Sequence, residues 1–248
     1  MKKNPIGFLS GNVLKIIAMI VMTIDHYAVL FHPYSDTWRI PGRIAFPIFA
    51  FFIAEGFRYT RNRIRYFLTL ALSGTLFQLV YYLFTHDDMR NIFITLALSI
   101  LPLFCLDFAK RIFFDKKHPW ILKVLSLLPT CLMVIALYYI NEKFHPDYGF
   151  YGCLLPLFAS LFHIPRGVEA PEFCKKLDIL PLHLLAFSIP LLLLVRTYGG
   201  VLYYAPLALL FLAMYSGKRG KWKMKYFFYL YYPAHLVALE GLYLLLYP

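Results

Sequence analysis

The sequence is poor in charged residues, and acidic residues are the scarcest of these. Of its 248 residues only 15% are charged, and 13 aspartates and glutamates stand against 25 lysines and arginines. Soluble domains carry about 25% charged residues. In addition, 60% of the residues are hydrophobic, which is more than a soluble core of this length can bury. These proportions exclude a soluble enzyme and a disordered chain, and they indicate an integral membrane protein.

The sequence also lacks the short motifs of several common chemistries. Its four cysteines include no CxxC pair, which argues against a zinc ribbon or a redox motif. The apolar composition also excludes a secreted disulfide scaffold. There is no HExxH and no GxSxG, so a metalloprotease and a serine hydrolase have no support. We expect no metal. The net charge of +12 fits basic cytoplasmic loops of a membrane protein, and no nucleic-acid partner is expected.

Long apolar runs are what the sequence has instead, and a membrane span needs about 20 such residues. They predict an all-α, polytopic transmembrane bundle of about nine spans, and several prolines inside the runs predict kinked helices. The runs cover residues 13–32, 40–57, 66–84, 91–109, 120–140, 150–164, 179–196, 201–215 and 226–246. Residues 1–248 are therefore predicted to form one membrane domain, and the lipid bilayer is its first partner.

The orientation follows from the distribution of basic residues. If the N-terminus is cytoplasmic, most of the lysines and arginines fall in the inner segments, as the positive-inside rule requires. Nine alternating spans then place the C-terminus outside.

Ionisable residues inside spans are costly, so each is a candidate functional residue. Lys15 and His26 are eleven residues apart on the first span, which places them on one helix face. His26 could act as a general base if burial keeps it neutral. The alternative is that Asp25 and His26 only tie two helices together. Asp25 is expected to contact Arg43 on the second span.

Glu55 lies deep in the second span, near the predicted depth of Lys15. Two pairings are open: an ion pair with Lys15, or a contact with Arg58 one helical turn away.

Two basic segments lie on the predicted cytoplasmic side and could bind phosphates. The first holds Arg58, Arg61, Arg63 and Arg65, and the second holds Lys218 and Arg219 between Gly217 and Gly220. The glycines would let backbone N–H groups approach an anion. The same residues could simply obey the charge rule.

Several polar residues are candidates for contact with a substrate on the outer side. They are Asn91 and Thr95 at the start of the fourth span, Asp147 and Tyr148 in an outer turn, and Tyr232 and His235 in the last span. Asn91 and Thr95 could equally hold helices together, and His235 could be a buried histidine bonded to tyrosines.

These motifs, taken in order, resemble the TraX family. The resemblance is carried by Leu14-Lys15, Met22-Thr-Ile-Asp25-His26, Gly42-Arg43-Ile-Ala-Phe46-Pro47, Glu55-Gly56-Phe57-Arg58-Tyr59-Thr60-Arg61, Asn91 to Thr95, Asp147-Tyr148-Gly149, Gly217-Lys218-Arg219-Gly220 and Tyr226 to His235. The Lys15-x10-His26 spacing is also similar to the Arg-x10-His motif of the acyltransferase-3 membrane family, although lysine here replaces arginine and lacks its bidentate fork.

TraX is known as the F-pilin acetylation protein, an inner-membrane protein that acetylates the pilin N-terminus. The resemblance therefore implies an acetyl-CoA-dependent acetyltransferase in the bacterial inner membrane. Its acceptor would be a peptide such as a pilin N-terminus, a glycan or a lipid. Without the resemblance, a non-enzymatic assembly protein for a surface structure and a small-solute transporter remain alternatives.

The resemblance also suggests roles for the candidate residues. His26 would take a proton from the acceptor, and Asp25 and Arg43 would order the outer site. Acetyl-CoA would be bound by Lys15, Glu55, Arg58, Arg61, Arg63, Lys218 and Arg219. The acceptor would be contacted by Asn91, Asp147, Tyr148, Tyr232 and His235.

Overall fold

The structure, a computed structural model, describes residues 4, 7–86, 91–222 and 224–247. Lys2, Lys3, Arg90 and Lys223, which contribute to the charge distribution, lie outside the described residues. Within the described residues the chain forms helices and no β-strand, with one isolated bridge between Leu9 and Tyr215.

Twelve α-helices are present in the described ranges. They are α1 (Gly11–Phe31), α2 (Ala45–Tyr59), α3 (Arg63–Thr85), α4 (Ile92–Leu98), α5 (Leu101–Phe114), α6 (Trp120–Leu125), α7 (Leu128–Phe144), α8 (Gly149–Ala159), α9 (Glu172–Leu177), α10 (Leu180–Tyr198), α11 (Ala208–Ala213) and α12 (Lys225–Leu246). Short 3₁₀ helices cover Asp36–Arg39, Pro41–Ile44 and Gly200–Leu207. Every predicted apolar run therefore coincides with a helical segment, and the all-α prediction is confirmed.

Six helical segments of the described chain are long and apolar enough to cross a bilayer. They are Gly11–Phe31, Asp36–Tyr59, Arg63–Leu83, Ile92–Phe114, Trp120–Phe144 and Leu180–Tyr198. The two shortest predicted runs form the shorter apolar stretches Gly149–Ala159 and Gly200–Ala213, and the last run forms α12, of 22 residues. The chain is thus a multi-pass helical membrane protein, and the count of nine crossings stays a prediction.

Prolines explain where the helices differ from the predicted runs. Pro102 and Pro129 stand in the first turns of α5 and α7, where the missing N–H would have had no partner. They therefore start new helices and divide two predicted runs, rather than bending one continuous helix. Pro156, Pro190 and Pro233 lie inside α8, α10 and α12.

The chain divides into two compact units. The first contains Ala50–Leu194, and the second contains Lys3–Phe49 and Val195–Pro248, as far as these ranges are described. In the first unit, only 17% of the span Arg63–Leu83 and 11% of Trp120–Phe144 are buried, against 61% of Ile92–Phe114. Apolar helices this exposed require a lipid environment.

In the second unit, α1 and α12 lie side by side and run in the same direction. His26 contacts His235, and further along both helices Phe31 contacts Tyr243. Because the contacts advance together along the two helices, α1 and α12 must be parallel.

Candidate functional site

Two histidines meet where α1 packs on α12. His26 Nδ1 lies 2.8 Å from His235 Nε2, and the ring centroids are 5.0 Å apart. His235 is 7% exposed, and its Nδ1 lies 2.9 Å from the backbone oxygen of Tyr231. We call His26 and His235 the histidine pair; the backbone carbonyl of Tyr231 is the hydrogen-bond partner of its second member. Two imidazoles from opposite ends of the sequence thus form one hydrogen-bonded unit.

Aromatic rings hold His235 in place. The Tyr231 ring stacks on it with an interplanar angle of 13° and a centroid distance of 5.2 Å, and buried Tyr232 meets both histidines edge-on. The Tyr231 hydroxyl lies 2.7 Å from Thr23 Oγ1, which itself donates to a carbonyl of α1. Tyr231 therefore donates to Thr23 and ties α12 to α1. His235 is thus a partner of His26, and the acceptor contacts that the sequence suggests for Tyr232 and His235 stay predictions.

Asp25 faces away from the histidine pair and towards arginines. Arg43, from the 3₁₀ helix Pro41–Ile44, donates a hydrogen bond to Asp25, and both residues are buried. Arg39 Nε lies 3.6 Å from Asp25 Oδ1. The contact between Asp25 and Arg43 that the sequence predicts is therefore present. It fixes the segment after α1 against the helix that carries His26.

Lys15 also contacts α12. Its Nζ lies 5.1 Å from the centre of the Phe228 ring, within the range of a cation–π interaction. Lys15 and His26 therefore share the α1 face that packs on α12, as their spacing predicts.

The basic turn around Lys218 and Arg219 closes the N-terminal end of α1. Gly11 N–H donates to the Lys218 carbonyl at 2.8 Å, and Asn12 N–H donates to the Arg219 carbonyl at 2.9 Å. Two carbonyls of this turn therefore accept from the first amides of α1, and the expectation that its own backbone N–H groups bind an anion stays a prediction. Gly220 lies so close that a Cβ would be 2.9 Å from Ser10 Oγ. The side chains of Lys218 and Arg219 are exposed.

The first unit contains a second polar centre, built around Asp178. Arg58 donates to Asp178 Oδ2 at 3.0 Å, and His183 Nε2 donates to Oδ1 at 2.9 Å. His163 Nδ1 lies 3.5 Å from Oδ2, and Glu55 Oε1 lies 3.8 Å from the Arg58 guanidinium. We call these five residues the Asp178 cluster. The contact between Glu55 and Arg58 that the sequence left open is present.

The cluster keeps Asp178 ionised and His163 neutral. Burial alone would raise the pKa of Asp178, but the imidazoles of His163 and His183 and the charge of Arg58 outweigh it and hold that pKa well below its usual range. His163 lies in the segment after α8, and burial lowers its pKa to about 4, with the charge of Arg58 acting in the same direction. Asp178 is therefore the fixed negative charge of the cluster.

A small pocket opens between the members of this cluster. It is lined by Phe51, Ala54, Glu55, Arg58, Ala159, Ser160, His163 and His183, and it has room for about one water molecule. His183 is 1% exposed, and its Nδ1 has no hydrogen-bond partner in the described structure. Nowhere in the described ranges do three His, Cys, Asp or Glu side chains form a group that could hold a metal ion.

Sequence reasoning missed Asp178, His163 and His183. Both histidines lie inside predicted spans, at 150–164 and 179–196, so the rule that singled out His26 applies equally to them. Asp178 immediately precedes the span of His183. Their convergence on Arg58 required the packing of α2 and α10, which no local pattern contains.

The remaining arginines of the first basic segment divide into two groups. Arg63 pairs with Asp107 at 2.5 Å and lies over the Phe57 ring, so, like Arg58, it serves the packing of the unit. Arg61 exposes its side chain. Arg65 is exposed as well. Of the three arginines of this segment that were expected to bind acetyl-CoA, Arg61 is the exposed one.

The predicted acceptor residues fall in both units. Asn91 caps α4 by accepting from Phe93 N–H and donates to the Gly74 carbonyl at 2.8 Å. Thr95 donates to the Asp147 carbonyl at 2.7 Å, and Asp147 Oδ1 accepts from Tyr148 N–H. These polar groups join helices within the unit Ala50–Leu194, whereas Tyr232 and His235 belong to the other unit.

Comparisons with known proteins agree with the resemblance that the sequence motifs suggest. The model of the TraX protein family matches residues 10–243. A probable fimbrial assembly protein, FimC of serogroup H1 from Dichelobacter nodosus, is 32% identical over 91% of this chain and 92% of its own length. An uncharacterized protein of Rickettsia prowazekii (strain Madrid E) is 35% identical over 36% of this chain and 34% of its own. No solved structure matches. The family model covers most of the chain, including the histidine pair and the Asp178 cluster. This chain therefore belongs to the TraX family.

Proposed function

We propose that this chain is a membrane acetyltransferase that moves an acetyl group from cytosolic acetyl-CoA to an amine or hydroxyl acceptor at the outer side of the bacterial inner membrane. The observation that carries the proposal is His26 itself. Its imidazole lies in an apolar helix, is bonded through Nδ1 to a second imidazole, and has no described partner at Nε2. Membrane proteins rarely place ionisable groups in spans without a functional reason.

The chemistry needs one proton transfer in each direction. His26 accepts a proton from the acceptor N–H or O–H, and the freed lone pair attacks the thioester carbonyl of acetyl-CoA. The carbon–sulfur bond then breaks, and the CoA thiolate takes the proton from His26. The products are the acetylated acceptor and CoA with a free thiol, and the imidazole returns to its neutral form.

The basic residues support a cytosolic donor. Arg61, Lys218 and Arg219 have exposed side chains, and exposed cations of this kind bind the phosphates of CoA. The parallel course of α1 and α12 requires an odd number of crossings between them, which fits the seven that lie between the first and last of nine spans. The distribution of basic residues supports a cytoplasmic N-terminus. In that orientation His26 is nearer the outer end of α1, where an acceptor would arrive.

The name of the Dichelobacter relative supports an acceptor in a surface fibre. That protein is described as a probable fimbrial assembly protein. A pilin-like peptide is therefore the first acceptor to examine, and a surface glycan is the second.

The decisive experiment compares strains with the wild-type gene, no gene, and His26→Ala. Surface proteins and glycans are isolated from each strain and searched by mass spectrometry for one acetyl group that the null strain lacks. Removal of a general base lowers the rate by about 10²–10⁴-fold, so His26→Ala should behave like the null strain. The matched control is His32→Ala, which removes an exposed imidazole just beyond the end of α1.

Folding is checked by size-exclusion chromatography and thermal unfolding of each purified variant. A folded His26→Ala protein that acetylates at close to the wild-type rate would overturn the proposal.

A non-enzymatic role in fimbrial assembly is the second candidate, and the relative's name favours it. The two differ in ligand binding: acetyl-CoA at 100 times its Kd would stabilise an acetyltransferase by about 2.7 kcal/mol. If millimolar acetyl-CoA leaves the unfolding temperature unchanged, and fibres fail in the null strain but assemble normally with His26→Ala, the assembly role is supported.

A further inference from the structure

The hydrogen bonds of the histidine pair can be assigned a direction, starting from its fixed end. His235 Nδ1 lies 2.9 Å from the backbone oxygen of Tyr231. A carbonyl oxygen can only accept, so His235 Nδ1 must carry a hydrogen. A neutral imidazole has one N–H, and therefore His235 Nε2 presents a lone pair.

The direction of the second hydrogen bond follows. His26 Nδ1 lies 2.8 Å from His235 Nε2, and since the latter accepts, His26 Nδ1 must donate. The single hydrogen of neutral His26 is thus on Nδ1, and its lone pair is on Nε2. The tautomer of a histidine is set by the hydrogen bond that its other nitrogen makes.

From this chain of hydrogen bonds we propose that His235 is a positioning residue that fixes the tautomer of His26, making Nε2 the atom that takes the acceptor's proton. The role in proton transfer rests on the proposed acetyltransferase function. The tautomer itself does not, because it follows from the hydrogen bonds alone.

The surroundings of His235 suit a positioning role. Its ring is stacked on Tyr231, and Tyr231 is tied to α1 through Thr23. The last acceptor of the chain is a backbone carbonyl, which cannot titrate and does not depend on a side-chain rotamer. When His26 takes a proton, its Nδ1–H still faces the His235 lone pair, so the positive charge forms against an acceptor that is already oriented.

The tautomer can be read directly by ¹⁵N NMR of the full-length protein in nanodiscs, with ¹⁵N-labelled histidine and His26→Ala to assign the signals. Protonated and unprotonated ring nitrogens have well-separated ¹⁵N shifts. We expect His26 Nδ1 to be protonated and Nε2 to be unprotonated. A wild-type protein whose His26 carries its hydrogen on Nε2 would overturn the inference.

Two substitutions separate positioning from packing. His235→Phe keeps a ring but removes the hydrogen-bond acceptor, so His26 should lose its Nδ1–H preference. With acetyl-CoA and the acetylated peptide or glycan identified in the strain comparison, isolated in its unacetylated form, kcat should fall by roughly 100-fold with KM little changed. In His235→Gln the amide oxygen can take the place of Nε2 as acceptor, and both the tautomer and most of kcat should be retained.

The outcomes distinguish this inference from the proposed function. If His26→Ala abolishes acetylation but His235→Phe leaves the His26 tautomer unchanged, the positioning role is wrong and the acetyltransferase stands. If the tautomer responds as expected but the wild-type protein acetylates nothing, the hydrogen-bond assignment stands and the role in catalysis is wrong. Equal loss of kcat in folded His235→Phe and His235→Gln would indicate that His235 serves packing alone.

Discussion

At the residue scale, buried charges of the described chain are arranged as compact groups. Asp25 meets Arg43 and Arg39, and Asp178 meets Arg58 with two histidines. Taking a single charge out of water costs several kcal/mol, and a well-placed partner offsets that cost. Each member of such a group therefore depends on the others.

Removing Arg43 should expose this dependence. In Arg43→Met the buried Asp25 carboxylate loses its closest cation, and we expect the free energy of unfolding to fall by about 3–5 kcal/mol. Denaturant unfolding in mild detergent measures it. Arg39→Met is the matched control, because the Arg39 side chain is 33% exposed and an exposed pair contributes about 0–1 kcal/mol. Similar losses in the two variants would contradict the assignment.

The sequence predicted one of these contacts and not another, for a physical reason. Asp25 and Arg43 are 18 residues apart, on either side of one short connection, so their depths along consecutive spans could be compared directly. His26 and His235 are 209 residues apart. Which helices become neighbours depends on the packing of the whole bundle, and that information is absent from local spacing.

At the element scale, the approach of the 3₁₀ helix Pro41–Ile44 to α1 depends on a residue without a side chain. A Cβ built on Gly42 would lie 2.2 Å from the Asp25 Cβ and 3.1 Å from the Val21 carbonyl oxygen. Real atoms do not approach so closely, so any larger residue must push the two elements apart.

Gly42→Ala should therefore destabilise the protein by about 1–3 kcal/mol, as overpacking of a buried contact does. The unfolding temperature of the purified variant provides the measurement. Gly241→Ala is the control, since nothing lies within 4 Å of the built Cβ in that exposed part of α12. There, alanine should be neutral or stabilise the helix by about 0.5–1 kcal/mol. A Gly42→Ala protein as stable as wild type would show that the two elements separate without cost.

The sequence predicted the helix bounds well where a helix simply follows an apolar run. It predicted them less well where a proline starts a new helix inside such a run. Composition places a span over residues 91–109, but the break between α4 and α5 comes from Pro102 and the turn before it. The short helix α9, Glu172–Leu177, gave no apolar signal because it is only six residues long and partly charged.

At the scale of the whole molecule, the Asp178 cluster links stability to pH. The pKa of Asp178 is lowered in the folded protein, so its contribution is complete at neutral pH and is lost as the pH falls below about 4. The pKa of His163 is lowered from 6.5 to about 4 in the folded protein. Between pH 6.5 and pH 4, His163 is therefore protonated in the unfolded chain and neutral in the folded protein, which favours unfolding. Both effects make acid destabilising.

The unfolding temperature should therefore decrease as the pH is lowered from 6.5 to 4, and it should decrease further below 4. His163→Gln should reduce the first part of this loss, and Asp178→Asn should reduce the second. A titration of thermal unfolding in detergent tests this. His118→Gln, in the connection between α5 and α6, is the control and should retain the wild-type pH profile. The same profile in all three variants would place the acid sensitivity elsewhere.

The nine-span orientation makes a prediction about the two faces of the membrane. A reporter that is active only outside the cytoplasm should work when fused after Leu246, and it should be inactive when fused at Lys218 or Lys116. A reporter that fluoresces only inside should give the opposite pattern. Activity of both reporters at one position, or an outer location of Lys218, would contradict the orientation. Neither result would change the helix assignments.

Lys110 joins α5 to the segment that follows α8. Its ammonium group donates to the carbonyls of Ser160, Leu161 and His163 at 2.6–2.8 Å, so all three of its N–H bonds are occupied. A thioester could react with this amine only if these hydrogen bonds were broken first. A protein that handles activated acetyl groups would thus be protected from self-modification at this lysine, and adventitious acetylation should mark exposed lysines such as Lys116 and Lys117 instead.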